Sequence, residues 1–382
     1  MTSAFQEQPH GGRLAWGLDQ VLDLSVNVNP YGPSAELIAH LRTLSFREYP
    51  DPSARRLREE LAHRWGERPE NFLVGNGANE LLWAIARACL PQQKDFTSAV
   101  YTCIEPCYSE FDRAARVIGA RPAPFKVKPE LYGAWSEDEL CAHIDQEGTQ
   151  VLYLCNPNSP TGIYLQTDFI ASLLRGRPHL TIVLDESFLS LSLFHEAAAR
   201  IYPDQVIRIV SLTKDFALAG LRIGYARGSA ALIARLAAQI PTWSVNTLAQ
   251  AAGIWCLQHE DFLTETRQLM LGDAEQLQRD LLERNTWVSL LPNRSSTIFT
   301  MLAVPDASTK ARILLEKHRV LVRSCASYGY PEYWRIAVRP EPERKVFLAA
   351  LDSLYDCETS VSEASPVAGP SSSLSYSLGL DQ

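Results

Sequence analysis

The chain has 382 residues, of which 46% are hydrophobic and 21% charged, so it is neither disordered nor collagen-like, and its length is typical of two or three domains. The formal net charge of −8 argues against a nucleic-acid-binding surface. No run reaches the roughly 18–20 uncharged apolar residues that a membrane helix needs. We therefore expect a globular protein that binds neither nucleic acid nor membrane.

Cysteine usage and the opening segment both predict a cytoplasmic protein. The eight cysteines are scattered, and the one close pair, Cys103 and Cys107, lacks a second pair with metal-ligand spacing. We expect neither a disulfide framework nor a metal site, which fits a reducing compartment. The opening segment has no basic region followed by an apolar core, so nothing in it predicts export.

Strand-like and helical patterns alternate through the first two thirds of the chain. Ser53 is predicted to cap a helix whose apolar positions Leu57, Leu61 and Trp65 recur every four residues. Apolar runs that carry no charge except arginine predict buried strands, and their alternation with helices predicts a largely parallel sheet covered on both faces. These runs are Ala99–Cys103, Val151–Cys155, Thr181–Leu184, Val206–Val210 and Leu221–Ala226.

The last third predicts a linking helix and a smaller α+β unit. The helical pattern from Thr247 to about Arg284 predicts one long helix. Strand patterns at Ser296–Leu302, Val320–Arg323 and Trp334–Val338, with a helix near Thr309–Lys317, follow it. We divide the chain into an N-terminal arm (1–35), a large domain (36–246), the linking helix with a small C-terminal domain (247–357) and a Ser- and Pro-rich tail (358–382) that we expect to be disordered.

The most informative motif is SLTKDFALAGLRIGYA, residues 211–226. It places Ser211, Thr213 and Lys214 in a turn after a buried strand, and Arg222 eight residues after the lysine. Hydroxyls, an amine and a guanidinium at a strand end suit a phosphate-bearing carbonyl cofactor, because a lysine can form a Schiff base with it. A surface lysine beside a solvated arginine is the alternative.

A carboxylate ends the neighbouring strand. Asp185, in TIVLDESF, is costly to bury without a cationic partner, and a pyridinium nitrogen would be such a partner. An aspartate that caps the next helix is the alternative.

Two turns complete the pattern, one rich in glycine and one that contains proline and glycine. In GNGANE, the small residues Gly77, Ala78 and Asn79 open a helix whose free N–H groups can bind an anion. In CNPNSPTG, Asn158 or Ser159 can bond a phenolic oxygen of the cofactor, and Tyr108 can stack on its ring, although a structural turn and a core tyrosine are the alternatives.

In order and spacing, these segments resemble the pyridoxal 5′-phosphate (PLP) enzymes with the aspartate aminotransferase fold, fold type I. The resemblance runs from about Leu22 to Val338 and implies an α/β fold with a large, mostly parallel sheet and a smaller C-terminal α+β domain. It implies that Lys214 forms the Schiff base, that Asp185 pairs with the pyridine nitrogen and that Tyr108 stacks on the ring. Ser211, Thr213 and Arg222 would bind the phosphate. Tyr49, in EYPDP, resembles the tyrosine that reaches the phosphate of the neighbouring subunit, which implies a homodimer with shared active sites.

Two subfamilies compete, histidinol-phosphate aminotransferase and threonine-phosphate decarboxylase of cobalamin synthesis. The segments HGG, LDLSVNVNPYGP, PTWSVNTLAQ and VLVRSCASYGYPEYWRIAVR resemble the decarboxylase, which also has phenylalanine at the position of Phe188. That resemblance implies decarboxylation of O-phospho-L-threonine to (R)-1-amino-2-propanol phosphate, with an aminotransferase as the alternative.

The decarboxylase resemblance also implies where the substrate binds. Arg335 would hold the substrate carboxylate, and Arg323, with His10 and Gly11, would hold the substrate phosphate. Asn27 would line the site. Arginine suits both anions because its planar guanidinium binds carboxylate and phosphate through two hydrogen bonds. Ser159 departs from the asparagine that the family has before Pro-Thr-Gly, and its hydroxyl has a shorter reach.

Overall fold

The structure, a computed structural model, describes residues 11–90, 98–284 and 287–363. Its helices are α1 (Ala35–Arg42), α2 (Arg55–Trp65), α3 (Gly77–Cys89), α4 (Glu110–Val117), α5 (Glu137–Glu147), α6 (Phe169–Leu174), α7 (Leu212–Asp215), α8 (Ala230–Ala237), α9 (Thr247–Gln258), α10 (Glu260–Glu283), α11 (Ala307–His318) and α12 (Glu341–Glu363). No helix of these described ranges is both long and apolar enough to cross a bilayer.

The strands in the described part of the chain form one large and two small sheets. They are β1 (Leu22–Asp23), β2 (Phe72–Gly75), β3 (Val100–Glu105), β4 (Arg121–Pro122), β5 (Phe125–Lys126), β6 (Val151–Cys155), β7 (Thr181–Asp185), β8 (Val206–Ser211), β9 (Gly224–Arg227), β10 (Ser289–Leu290), β11 (Phe299–Ala303), β12 (Val320–Leu321), β13 (Arg323–Ser324) and β14 (Tyr333–Ala337).

The large sheet confirms the predicted α/β fold. Its strand order is β2-β9-β8-β7-β6-β3-β4, with β5 also paired to β3. Strands β8, β7, β6, β3 and β4 are parallel, whereas β9 runs antiparallel to both β8 and β2. Since β2 and β8 are each antiparallel to β9, the carboxyl end of β2 lies at the same edge of the sheet as those of β6, β7 and β8.

Alternate residues of the central strands pack into different cores, as expected of a sheet covered on both faces. On β6, Tyr153 and Cys155 pack with α3, α4 and α8, whereas Leu152 and Leu154 pack with α5 and α6. This double burial explains the uninterrupted apolar runs in the sequence.

The small C-terminal sheet has the antiparallel order β10-β11-β14-β13. A chain segment near the N-terminus joins this unit, because β1 pairs in parallel with β12 and Leu24 lies in the same core as Phe299 and Trp334. Residues predicted as part of an arm therefore pack against the small C-terminal unit.

Three sequence expectations about elements are wrong. Ser53 does not cap α2: Ala54 precedes the helix in a left-handed conformation (φ 45°), and Asp51 accepts the backbone N–H of Arg55 at 3.0 Å. The single helix expected from Thr247 to Arg284 is broken at His259, where φ is −129°. The ninth strand begins at Gly224 rather than Leu221.

The predicted tail boundary at residue 358 falls within α12, which continues to Glu363. The rest of that expectation, residues 364–382, lies outside the described residues.

Candidate active site

A cavity of about 310 Å³ lies at the carboxyl edge of the large sheet, where open α/β sheets bind ligands. Three of its wall residues end adjacent parallel strands: Cys155 on β6, Asp185 on β7 and Ser211 on β8. The small C-terminal unit and the segment before α1 close the other sides. Predicted site residues that line the cavity are Gly11, Asn27, Ala78, Asn79, Tyr108, Ser159, Asp185, Ser211, Thr213, Lys214, Arg222, Arg323 and Arg335.

Asp185 is a buried carboxylate that does not cap a helix. It is 2% exposed, and its Oδ1 accepts the backbone N–H of Ser187 at 3.0 Å while its Oδ2 accepts the phenol of Tyr153 at 2.8 Å. The next helical turn begins at Leu189, with Phe188 in the capping position and no side-chain cap. Asp185 is therefore not an ordinary helix cap. Its carboxylate faces the cavity.

Lys214 lies in the same cavity, in the short helix α7. Its Nζ donates to the hydroxyl of Ser211 at 3.2 Å and lies 4.9 Å from the ring centroid of Phe188. Desolvation by burial lowers the pKa of this ammonium from its ordinary value, and the carboxylates of Asp185 and Asp215 act in the opposite direction. A lowered pKa favours the neutral amine, the form that attacks a carbonyl. The alternative of a surface lysine is thus excluded by its position.

Three side chains and a helix N-terminus form a candidate anion site beside Lys214. The hydroxyls of Ser211 and Thr213 are 2.7 Å apart, and Arg222 has the left-handed φ of 60°. Gly77, at φ 77°, opens α3, and a Cβ there would lie 2.6 Å from Nη2 of Arg222. The guanidinium therefore lies against the first turn of a 13-residue helix, whose free N–H groups favour an anion.

Tyr108 is held beside this anion site by Asn79. Its phenol donates to Oδ1 of Asn79 at 2.9 Å, and burial raises the pKa of Tyr108 above its ordinary value. The phenol therefore stays neutral at physiological pH. The residue lines the cavity, and its stacking on a bound ring stays a prediction.

Arg323 and Arg335 occupy the end of the cavity formed by the small C-terminal sheet. They lie directly opposite each other on β13 and β14, and both are more than nine-tenths buried. Nη1 of Arg335 donates to the hydroxyl of Ser159 at 3.0 Å, and its Nη2 donates to the carbonyl of Ser25 at 2.8 Å. Neither arginine is the solvated strand-edge residue that the pattern alone would suggest.

Arg323 packs against a tyrosine that the sequence did not indicate. Its Nη2 donates to Ser327 at 2.8 Å, and its guanidinium lies 5.7 Å from the ring centroid of Tyr328. Desolvation by burial lowers the pKa of Arg323, and the positive charge of Arg335 lowers it further.

Asn27 presents unsatisfied polar atoms to the cavity. The residue is 5% exposed, and within the described ranges neither its Oδ1 nor its Nδ2 has a hydrogen-bond partner. An orphaned amide is costly to bury, so it fits a ligand that supplies both a donor and an acceptor. Gly11 leaves no room for a side chain here, because a Cβ would lie 2.4 Å from the carbonyl oxygen of Ser25.

Three predicted site residues do not line the cavity. The amide of Asn158 is engaged by the protein itself, donating to the carbonyl of Pro106 after β3 at 2.8 Å and accepting from the hydroxyl of Thr161 in its own turn at 2.7 Å. Tyr49 is 80% exposed and stacks on Trp243 with ring centroids 4.7 Å apart. Gly77 lies against the guanidinium of Arg222 and does not line the cavity. His10 falls outside the described residues.

Sequence reasoning missed the residues that support the site. Tyr153 donates a hydrogen bond to Asp185, and the carbonyl of Ser25 accepts one from Arg335. Cys155 and Tyr328 line the cavity. In the sequence, a tyrosine two residues before the end of an apolar strand cannot be told from an ordinary core residue. Only the register of β6 with β7 shows that Tyr153 contacts Asp185. Phe188, which the sequence did single out, contacts Lys214 as described above.

The side chains fit PLP on their own chemistry. The buried lysine amine matches the aldehyde of PLP, and the buried carboxylate matches its pyridine nitrogen. The aromatic side chain in the cavity wall matches its ring. The helix N-terminus, with the two hydroxyls and the guanidinium, matches its phosphate. Fold and site together define a PLP-dependent enzyme of fold type I.

Comparisons with known proteins agree with this class. The model of the family described as aminotransferase class I and II matches residues 19–353. The chain belongs to this family, and its cofactor is pyridoxal 5′-phosphate.

Individual relatives carry two different activities in their names. The chain is 29% identical over 350 residues to a histidinol-phosphate aminotransferase of Halalkalibacterium halodurans, covering 88% of this chain and 89% of that protein. It is similar to the structure of L-threonine-O-3-phosphate decarboxylase from Porphyromonas gingivalis, with TM-score 0.73, 26% identity, and 87% and 99% of the two chains covered. The histidinol-phosphate aminotransferase structure from Sinorhizobium meliloti, at 22% identity and TM-score 0.76, covers 87% of this chain and 90% of that one and shares the fold.

Proposed function

We propose that this protein decarboxylates O-phospho-L-threonine to (R)-1-amino-2-propanol phosphate, the amino-alcohol phosphate used for the nucleotide loop of cobalamin. The observation that carries the proposal is the pair Arg323 and Arg335, set directly opposite each other and both buried in the cavity. Like charges in directly opposite positions repel. Two guanidinium groups in one cavity suit a substrate with two anionic groups, and phosphothreonine carries a carboxylate and a phosphate in one molecule.

Three residues of the cavity have a direct role in this proposal. Bound PLP supplies an electron sink for the charge left at the substrate Cα when a bond to that carbon breaks. Arg335 holds the carboxylate and Arg323 the phosphate, so the two arginines orient the substrate. Lys214 then delivers the proton that replaces CO2 at Cα. By fixing the substrate, the two arginines would decide which bond at Cα is placed to break, and so decide between decarboxylation and transamination. A misplacement near 1 Å can cost about 100-fold in rate.

Histidinol-phosphate transamination is the second candidate. The identity to a histidinol-phosphate aminotransferase favours it, and its co-substrate, 2-oxoglutarate, also carries two anionic groups. The segments that resemble the decarboxylase, among them the one that carries Arg323 and Arg335, favour the first candidate.

A direct assay separates the two candidates. Purified protein with PLP is incubated with phosphothreonine and CO2 release is followed, while a parallel sample receives histidinol phosphate and 2-oxoglutarate. We expect CO2 and aminopropanol phosphate without any added oxo acid. Turnover in the second sample alone would establish the aminotransferase instead.

Replacing the lysine tests the catalytic assignment. We expect Lys214→Ala to abolish turnover, because it removes both the amine that binds the cofactor and the proton donor. A Lys214→Ala protein that retained full activity would refute the scheme. Lys345→Ala, which changes an exposed lysine on α12 that pairs with Glu341, is the control and should leave turnover unchanged.

A further inference from the structure

The carboxylate of Asp185 is supported by a phenol that the proposed mechanism does not use. Oδ2 of Asp185 accepts the O–H of Tyr153 at 2.8 Å, and Tyr153 is fully buried. The contact follows from strand register, because Tyr153 pairs with Val183 and Cys155 pairs with Asp185 along β6 and β7. Tyr153 and Asp185 are thus diagonal neighbours on one face of the sheet, within reach of a long side chain.

The packing around Tyr153 holds its ring in one orientation. Its ring is stacked on Phe111, with centroids 5.1 Å apart and planes 12° from parallel. Phe111 also contacts a second buried tyrosine, Tyr101, edge to face at 5.9 Å. A phenol fixed in this way loses little further freedom in making its hydrogen bond, so the bond is preorganised.

Tyr153 is a donor to Asp185 at all physiological pH values. Desolvation by burial raises the pKa of Tyr153 well above its ordinary value, and the adjacent charge of Asp185 raises it further. A hydrogen bond donated to a carboxylate stabilises its ionised form. The other titratable groups that act on Asp185 or are acted on by it are Tyr108, Cys155, Glu186 and Lys214.

We infer that Tyr153 is a positioning residue that holds Asp185 as an oriented anion and so keeps the ring nitrogen of bound PLP protonated. The inference rests on the proposed pairing of Asp185 with that nitrogen. Without the phenol, Oδ2 of Asp185 loses the hydrogen bond that orients it, so the carboxylate pairs less firmly with the ring N–H and holds the proton on the ring less well. The ring then loses positive charge and withdraws fewer electrons, both from the substrate Cα and from the nitrogen that Lys214 contributes.

Tyr153→Phe tests this, with Tyr101→Phe as a matched control. Tyr101 is also fully buried, contacts the same Phe111 and donates to a carboxylate, Asp112, at 2.6 Å, but it has no bond to Asp185. In the PLP-loaded protein we expect Tyr153→Phe to weaken PLP binding about 10-fold and to move the absorbance change of the bound cofactor to higher pH. We expect kcat to fall with little change in KM. Tyr101→Phe should change none of these quantities.

A double-mutant cycle checks that Tyr153 acts through Asp185. In the Asp185→Asn background, adding Tyr153→Phe should weaken PLP binding less than 2-fold further, because coupled residues are not additive. Independent, multiplied effects would overturn the inference, and so would a Tyr153→Phe protein that behaves like Tyr101→Phe. If instead the wild-type protein binds no PLP and shows no shift of its spectrum, the cofactor site itself is wrong.

A second variant covers the case in which Tyr153→Phe does not fold. Site-specific 3-fluorotyrosine at position 153 keeps the ring and its packing but makes the phenol a stronger hydrogen-bond donor. The absorbance change of bound PLP should then move to lower pH, opposite to the effect of Tyr153→Phe. An unchanged transition in the fluorotyrosine protein would overturn the inference.

Discussion

Lys214 and Asp215 are consecutive residues, yet their side chains lie in different cavities. Lys214 faces the active-site cavity, whereas Asp215 lines a second cavity of about 190 Å³ together with Ser190 and Arg267. Asp215 is 1% exposed, and its Oδ1 has no hydrogen-bond partner in the described part of the chain. A carboxyl group in such a place is expensive to ionise, so this residue has a measurable effect on stability.

Asp215→Asn should therefore stabilise the cofactor-free protein in a pH-dependent manner. Desolvation by burial raises the pKa of Asp215 to about 7 from its ordinary 3.8. Between these values unfolding releases a proton, so the wild-type protein loses stability as pH rises, by about 4 kcal/mol at most, and the loss is complete above about pH 7. Asparagine does not ionise and avoids this loss.

The measurement is urea unfolding of both proteins at pH 5 and pH 8. The free energy of unfolding of Asp215→Asn should exceed that of the wild type by more at pH 8 than at pH 5. A difference that is equal at both pH values, or larger at pH 5, would contradict the assignment.

At the level of elements, local sequence predicts strands and motifs better than it predicts boundaries and supporting contacts. Strands β6, β7 and β8 were recognisable because burial on both faces leaves few polar positions. The break between α9 and α10 at His259 was not recognisable, because no proline or glycine marks it. The hydrogen bond between Tyr153 and Asp185 could not be predicted either, because it depends on how two strands are aligned, which a single segment does not encode.

The turn from β2 into α3 combines two constraints on one residue. Gly77 has φ 77°, and a Cβ there would lie 2.6 Å from the guanidinium of Arg222. Gly77→Ala should thus displace Arg222 from the proposed phosphate site and weaken PLP binding at least 10-fold, as measured by cofactor titration.

Gly66→Ala is the matched control for this substitution. Gly66 ends α2 at φ 64° with open space around it, so alanine there should cost only the backbone strain, about 1 kcal/mol of stability. PLP affinity should stay at the wild-type value. If both variants lowered PLP affinity equally, strain rather than the displaced guanidinium would explain the effect of Gly77→Ala.

At the level of the whole molecule, three parts of the chain close around the cavity. The large sheet contributes Asp185, the small C-terminal sheet contributes Arg335, and the segment before α1 contributes Gly11 and Asn27.

Tyr49 is the predicted phosphate-binding residue that this arrangement leaves on the outside. Its ring and that of Trp243 form an exposed aromatic pair, with Trp243 49% exposed. That position is compatible with the homodimer that the sequence resemblance implies.

Complementation between two impaired variants tests whether Tyr49 serves a neighbouring subunit. We expect Tyr49→Ala to weaken PLP binding and activity at least 10-fold, and Lys214→Ala to be inactive. In a mixed dimer with shared sites, one site receives both substitutions and the other receives neither. Co-purified mixed dimers, isolated with two different affinity tags, should therefore recover about half of the wild-type activity per dimer. If Tyr49 acts within its own subunit, the only site that retains Lys214 still carries Tyr49→Ala, and activity should not exceed half that of the Tyr49→Ala homodimer.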